Sequence, residues 1–464
     1  MDDSIVAQGG TDDVIAAIAT PVGQGAISLI RLSGMGALDV LSQVFTPTGK
    51  RGKQKRELED RKAVLGHLHD LRAEKIDEVL VTVFRGPRSY TGEDVAEISC
   101  HGGILVTRKV LEALLEAGAR AAGPGEFSQR AFLNGKMDLT QAEAVMDLIS
   151  AQTDLALKAA GEQLAGRLGE QLMELRAELL SLVAQVEAYI DFPDEDIDPE
   201  TGNLMVKRIS TSKQTVLALL ATADQGRILR EGARVVIYGA PNVGKSSLLN
   251  LLLGFDRAIV SDVAGTTRDT LEEVINLRGI PLRLIDTAGV HRSSDEIEKQ
   301  GIERTKQQVE NADLVLQVVN GSEARPEVAL AGEVGNGRHL LILNKADLVI
   351  HPDWQALKGV RISCTENQGI DDLENAIVEV LEADGEAWGN NLVAINARHK
   401  DCLKRAKVDL QAAEEGLRQS GGTLMPEITA MDLRSALDHV GEIVGQVDAE
   451  EVLGEIFSSF CIGK

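Results

Sequence analysis

The stretch Gly239-Ala240-Pro241-Asn242-Val243-Gly244-Lys245-Ser246 constrains this chain more than any other, because it fits G-x-x-x-x-G-K-[ST] in the setting where that pattern has a mechanism. The apolar run RVVIY precedes it and the helix-favouring SSLLNLLLG follows. Strand, glycine turn and helix N-terminus in that order aim backbone N–H groups at an anion. Lys245 adds a point charge for β- and γ-phosphates, and the Ser246 hydroxyl a ligand for Mg²⁺. Such a turn belongs to a wound α/β sheet. Residues 233 to about 383 supply one, since RVVIYG, PLRLID, LVLQVV, HLLILN and VRIS alternate with helical stretches.

Three further sites close strands of that sheet. Asp286-Thr287-Ala288-Gly289 ends PLRLID, where a carboxylate can hold Mg²⁺ through its water shell and a flexible glycine lies beside the γ-phosphate. Asn344-Lys345-Ala346-Asp347 ends LLILN. The Asp347 carboxylate can accept the N1–H and exocyclic N2–H₂ of guanine, a pair that adenine does not offer. Ser363-Cys364-Thr365 closes the next strand and can cover the base with backbone donors. Gly265-Thr266-Thr267-Arg268-Asp269 lies between the first two sites, a threonine-bearing loop of the kind that orders around Mg²⁺ and γ-phosphate, with Thr267 the candidate ligand. This ordered set implies a GTP-binding domain. Val290 follows DTAG where small signalling GTPases carry a water-orienting glutamine, so hydrolysis must find another group; His291, Asp295, Glu296 and Glu298 all qualify by spacing.

The remaining length leaves room for more than this domain. At 464 residues and about 150 per domain, roughly three domains are expected. A net charge of -24 excludes a uniformly basic nucleic-acid coat, and 8 Phe, 3 Tyr and 2 Trp are too few for a protein built on stacked bases. Cys100, Cys364, Cys402 and Cys461 are widely spaced, without the pairing of a zinc site or disulfide framework. No apolar run reaches the ~18 residues of a membrane span, and the acidic start lacks a signal peptide's basic and apolar regions, so a cytoplasmic protein is expected.

Residues 1 to about 128 read as an α+β module: strand, turn and strand in VIAAIATPVGQGAISLIRLSG, strands in IDEVLVTVF and EDVAEISC, then a helix in ILVTRKVLEALLEAGA. Strict alternation puts Arg31 on the face of Ile27 and Leu29, and Glu97 on that of Val95. A charge on an apolar face wants a partner. From Asp138, Thr140 with Glu143 fits a capping box ahead of a helical stretch to about Ile190. Leu168, Leu172, Leu175, Leu179, Leu182 and Val186, spaced 4, 3, 4, 3, 4, form the seam of helices packed at shallow angles. The acidic run Asp191 to Glu200 ends it as a solvated turn, and the basic run Lys50 to Lys62 reads as a solvated loop. Helical patterns return over Asn396 to Gln419, Ala430 to Val444 and Ala449 to Phe457. The simplest architecture is a helical domain interrupted by an inserted α/β domain.

TGEDVAE, HGG, PGEFSQRAFLNGKMDLTQAEA, YIDFPDE, the phosphate-binding turn, GTTRD, DTAG, NKAD and the terminal CIGK occur here in order. On these motifs nearly the whole chain resembles the bacterial MnmE (TrmE) family of tRNA modification GTPases. The resemblance implies α+β and α/β classes in three parts: an N-terminal folate-binding and dimerisation domain at 1–128, a discontinuous helical domain at 129–230 and 385–464, and an inserted Ras-like G domain at 231–384. It implies a homodimer that forms a heterotetramer with an FAD protein of the MnmG type. That complex puts a carboxymethylaminomethyl group on C5 of the wobble uridine of certain tRNAs, with 5-formyl- or 5,10-methylene-tetrahydrofolate as a cofactor.

Carried over by position, the nucleotide set gains Ser247, Ser261, Asp262, Val263 and Ala264. Asn242 with the carbonyls of Ser261, Val263 and Thr266 would hold K⁺ in place of an arginine finger. Ser246 and Thr267 map to Mg²⁺ ligands, and Glu298 to the glutamate that orients water when two G domains meet. Arg31, Glu97, Lys136 and Lys464 map to the folate contacts, while Cys461 has no assigned role. Ser-Cys-Thr stands where Ser-Ala is commoner, and His291 where an arginine can occur, which would make turnover more sensitive to pH.

Overall fold

The structure, a computed structural model, describes residues 13–48, 58–191, 199–254, 272–286, 307–325, 338–382, 394–419, 426–446, 450–458 and 460–464. The chain packs as two compact units: Met1–Met146 with Val444–Lys464, and Asp147–Ile443.

The first unit is built on strands β1 (Ile15–Ile18), β2 (Ile27–Ser33), β3 (Phe45–Pro47), β4 (Val64–His69), β5 (Lys75–Phe84), β6 (Val95–His101) and β7 (Arg120–Ala121), in the order β3-β4-β5-β6-β2-β1-β7. Only the β1–β7 pair is parallel. Period-2 alternation sends Ile30, Leu32, Val79, Val81, Val83 and Ile98 into one core. Helices Ala37–Val44 and Ile104–Glu116 cover that core, the second burying Thr107, Val110, Ala113 and Leu114 at helical spacing. Arg31 and Glu97 therefore face away from the main core, not into it. Near β1, the reverse face carries a smaller cluster of Ile15, Ala17, Ala122 and Phe127, with Tyr90 against it. Farther along, Leu29, Ser99, Leu80 and Leu65 lie in register across β2, β6, β5 and β4.

In the second unit, β8 (Ala233–Tyr238), β9 (Glu272–Leu277), β10 (Ile280–Asp286), β11 (Leu314–Asn320), β12 (Arg338–Asn344) and β13 (Val360–Arg361) form a sheet ordered β13-β12-β11-β8-β10-β9. All neighbours are parallel except β9, which returns antiparallel on β10. Every residue of β11 is buried, as expected of a strand covered on both faces. The edge strand β9 was not among the expected strands, although the Arg278-Gly279 turn with positive φ at both residues closes it onto β10 as a hairpin. Both chain directions away from β8 are used, so the carboxyl ends of β8 and its neighbours open a crevice at the switch point.

The helical expectations hold with local corrections. The seam Leu168 to Val186 is buried along helix Arg167–Asp191. The helical stretch expected from Asp138 to about Ile190 is three helices, Leu139–Ser150, Asp154–Leu164 and Arg167–Asp191. Asp138 with Gln141, rather than Thr140 with Glu143, caps the first: Asp138 Oδ1 accepts from the Gln141 N–H at 2.9 Å, and Gln141 Oε1 accepts from the Asp138 N–H at 3.0 Å. Helices Ala397–Gln419, Pro426–Val444 and Glu450–Ser458 follow, the second starting earlier than expected because proline fits the first helical position. Of the acidic run Asp191 to Glu200, Asp191 ends one helix, Pro199 and Glu200 begin the next, Pro199–Ala221, and 192–198 lie outside the described residues, as do 50–57 of the basic run Lys50 to Lys62.

Candidate functional site

The phosphate-binding turn leaves β8 at Tyr238 and enters helix Lys245–Leu253 through Gly244, whose left-handed φ of 103° lets the turn close on the helix. Val243 is anchored in the sheet's core while Asn242, Ser246 and Ser247 are exposed. The first-turn N–H groups and the Ser246 hydroxyl thus face a free surface, the arrangement an anion and its Mg²⁺ require. Lys245 is buried, its ammonium donating to the carbonyls of Gly239 and Ala240 at 2.9 Å each. Asp286 ends β10 in register with Ile237 of β8, so it arrives at the same edge as the turn.

Asn344 joins this turn to the base-reading segment. Its Nδ2 donates to the Val243 carbonyl at 2.9 Å, and its Oδ1 accepts from the Cys364 N–H at 3.3 Å. Lys345 takes a positive φ of 65°, and the Ala346 N–H bonds to the Ile362 carbonyl at 2.9 Å, leaving Asp347 exposed. The buried Ser363 hydroxyl donates to Asp347 Oδ1 at 2.6 Å and lies 3.0 Å from the Thr365 hydroxyl. A fixed, exposed carboxylate is what reading the guanine edge needs. Burial pushes the Cys364 thiol up, so this side chain is a neutral neighbour of the base site. Ser261, Asp262, Val263, Ala264, Gly265, Thr266, Thr267, Thr287, Ala288, Gly289, His291, Asp295, Glu296 and Glu298 lie outside the described residues.

A second constellation occupies the first unit. Arg31 and Glu97 are register partners across β2 and β6, with Arg31 Nη2 2.8 Å and Nε 3.2 Å from Glu97 Oε1. The guanidinium lies 5.1 Å from the Tyr90 ring centroid and 5.8 Å from that of Phe127, so the pair is half-buried among aromatic faces. Lys136 donates to the Pro87 carbonyl at 2.9 Å. The C-terminus reaches the same aromatic wall: the Phe127 N–H donates to the Lys464 carbonyl at 3.1 Å, and Ile462 bridges to Pro124. Phe127 thus links Arg31, through its ring, to Lys464, through its backbone. Cys461 is a free, exposed thiol beside this wall.

Behind Phe127, its helix carries charges that sequence reasoning passed over. Arg130 is buried and donates to Asp13 Oδ1 at 2.5 Å, Glu126 Oε1 at 3.0 Å and Glu93 Oε1 at 3.2 Å. Arg120 grips Glu126 at 2.7 Å and Asp13 at 2.7 Å. Burial alone would raise the Glu126 carboxyl, but donors from Arg120, the Gly123 N–H and Arg130 outweigh it and hold it below the ordinary value. Glu93 Oε2 also accepts from Ser33 on β2 at 2.7 Å, which ties this network to the strand bearing Arg31. The signal available in sequence was Glu126 and Arg130 four residues apart in GEFSQRAF and Glu93 in TGEDV, with no spacing to bring Asp13, Glu93 and Arg120 to them.

A family model described as the MnmE helical domain matches residues 139–461, and one described as the GTP-binding protein TrmE N-terminus matches residues 14–136. The tRNA modification GTPase MnmE of Akkermansia muciniphila is 54% identical over 452 residues, covering 97% of this chain and 98% of its own. Its counterparts in Alkaliphilus metalliredigens and Aquifex aeolicus are each 44% identical, covering 98% and 97% of this chain and 99% of their own lengths. Among solved structures, the G domain of the T. maritima FeoB iron transporter is 27% identical with a TM-score of 0.24, covering 32% of this chain and 98% of its own. At that score the likeness adds nothing to the sheet order above. With one model matching well over half of the chain and relatives aligned over nearly their whole lengths, the chain belongs to the MnmE (TrmE) family of tRNA modification GTPases.

Proposed function

We propose that this protein is a GTP hydrolase of tRNA modification, and that with an MnmG-type FAD protein it installs a carboxymethylaminomethyl group on C5 of the wobble uridine of certain tRNAs. The observation that carries the GTPase part is Asn344 spanning the phosphate turn and the base-covering segment, which makes one nucleotide cradle of two distant motifs. Three domains follow on this reading: 1–128, then 129–230 with 385–464, and an inserted 231–384.

Each group in the cradle has a defined task. Asp347, held by Ser363, accepts from the guanine edge, while Lys245 and the N–H groups at the start of helix Lys245–Leu253 stabilise the phosphates. The exposed Ser246 hydroxyl fits a Mg²⁺ ligand, with Thr267 as the second. Asn242, also exposed, would hold K⁺ together with the carbonyls of Ser261, Val263 and Thr266. These cations supply positive charge against that developing between the β- and γ-phosphates. Glu298 orients the attacking water.

In the first unit, a folate suits the wall formed by Arg31, Glu97, Tyr90 and Phe127. Aromatic faces can stack a pterin, Glu97 can accept its amide N–H, and the ammonium groups of Lys136 and Lys464 can meet its carboxylates. The outward row Leu29, Leu80 and Leu65, with Ile27 68% exposed beside it, supports dimerisation through this unit. Among the described residues no helix is long and apolar enough to cross a membrane. Mass spectrometry of wobble uridines from cells lacking the protein tests the proposal. Loss of the C5 substituent is expected, and a fully modified uridine overturns it.

A further inference from the structure

The turn of the β9–β10 hairpin is seated on the helical part of its own unit. Arg278 and Gly279 reverse the chain with φ of 52° and 92°, and the Gly279 N–H donates to Asn276 Oδ1 at 2.8 Å. Leu155, from helix Asp154–Leu164, lies so close to this turn that a Cβ at Gly279 would come within 2.7 Å of its Cγ and Cδ1. Leu155 packs against the apolar core of the sheet and also against the buried pair Ala159 and Leu229, so it belongs to both layers. Arg278 steadies the turn from outside, its Nε 3.0 Å from Glu374 and its Nη1 2.5 Å from Asn375.

Both strands of this hairpin lead to the nucleotide. From the seat, β10 runs through Ile280–Asp286 and ends in register with Ile237 of β8, the strand that enters the phosphate-binding turn. In sequence β9 begins at Glu272, three positions after the GTTRD motif ends at Asp269. A paired strand is stiff along its length, so displacing the turn displaces Asp286 relative to β8. Packed side chains of this kind change between discrete arrangements rather than yielding gradually.

We propose that Leu155 is a positioning residue for GTP hydrolysis: seated under the Gly279 turn, it sets where the β9–β10 hairpin places Asp286 against the phosphate edge. The inference rests on the GTPase reading. It makes helix Asp154–Leu164 the structural partner of the catalytic edge, although that helix contributes no group to the nucleotide cradle.

The test uses the full-length protein with Leu155→Ala, Leu155→Val and the conservative Leu155→Met. Steady-state GTP hydrolysis, GDP affinity by a fluorescent analogue and thermal unfolding are measured for each. Leu155→Ala should lower kcat roughly three- to tenfold, the range expected when a contact along such a network is removed, with GDP affinity unchanged. Leu155→Val, which withdraws the Cδ contact but keeps most of the volume, should fall between, and Leu155→Met should restore the rate. A lowered Tm with unchanged kcat in Leu155→Val makes Leu155 a packing residue only and overturns the inference. Parallel loss of kcat and GDP affinity overturns it too. If the unaltered protein does not hydrolyse GTP, the GTPase reading fails instead.

Discussion

Asn344 Nδ2 donates to the carbonyl of Val243 across 2.9 Å, so the strand end that reads the base also holds the turn that binds the phosphates. The same side chain accepts from the Cys364 N–H. Replacing it with alanine leaves a buried carbonyl and an amide without partners, a loss of about 1–3 kcal/mol. Asn344→Ala should therefore weaken GTP and GDP equally, by roughly tenfold or more. Titration of both nucleotides checks this, and a loss confined to GTP would place the role of Asn344 at the γ-phosphate instead.

Asp347 is exposed and fixed by the Ser363 hydroxyl at 2.6 Å, a geometry suited to selecting one base by its hydrogen-bonding edge. Asp347→Asn exchanges one acceptor for a donor. Guanine then faces a mismatched donor, while xanthine, with a carbonyl where guanine has its amino group, is matched. Preference should shift from GTP toward xanthosine triphosphate by about two orders of magnitude, since a hydrogen bond lost to guanine and one gained to xanthine are each worth about 1.4 kcal/mol, a factor of ten. Competition between the two nucleotides measures it; undiminished GTP binding removes Asp347 from the base site.

The nucleotide cradle was legible because its chemistry is local. Lys245, Ser246 and Asp347 each sit a fixed number of residues from a strand end, and the backbone does the rest. Arg31 and Glu97 were half legible: alternation assigned their faces, but only the observed layering places those faces away from the main core, under Tyr90 and Phe127. The Arg130 network was not legible. Glu126 and Arg130 share a helix, but Asp13 and Glu93 reach them from segments 117 and 37 residues from Arg130, and a buried arginine has the same letter as a surface one. Strand β9 escaped because its glutamates mask the alternation of EEVINL, although the following Arg-Gly carried the turn signal.

That network makes the first unit sensitive to acid. Glu126 and Asp13 both titrate below their ordinary values of 4.5 and 3.8; burial opposes this, and the arginine hydrogen bonds prevail. A carboxyl depressed in the folded state stabilises the fold above its unfolded pKa, and that stabilisation fades as pH falls through the folded value. Stability should thus be constant near neutrality and decline below about pH 4.5. Glu126→Gln removes the charge that Arg120 and Arg130 share, costing about 3 kcal/mol at neutral pH, and should flatten the decline. Urea unfolding at a series of pH values checks both. Parallel curves for the two proteins would show that Glu126 is not linked to acid unfolding.

The C-terminus offers the sharpest test of the folate wall, because its placement depends on one residue without a side chain. Gly463 has a φ of 99°, and a Cβ there would come within 2.5 Å of the Ile18 carbonyl oxygen. Gly463→Ala must therefore push the tail off β1, breaking the bond from the Phe127 N–H to the Lys464 carbonyl. Lys464→Met takes away the ammonium but keeps the tail's backbone, including the carbonyl that accepts from the Phe127 N–H. If Lys464 contacts a folate carboxylate, both variants should weaken 5-formyltetrahydrofolate binding, each by about tenfold for loss of one charge-assisted contact. GDP affinity, set by a cradle in the other compact unit, should not change. Calorimetry with each ligand separates the cases: unchanged folate affinity in both variants excludes the tail from the folate site, whereas loss in Gly463→Ala alone assigns the contact to the Phe127 wall rather than to the lysine.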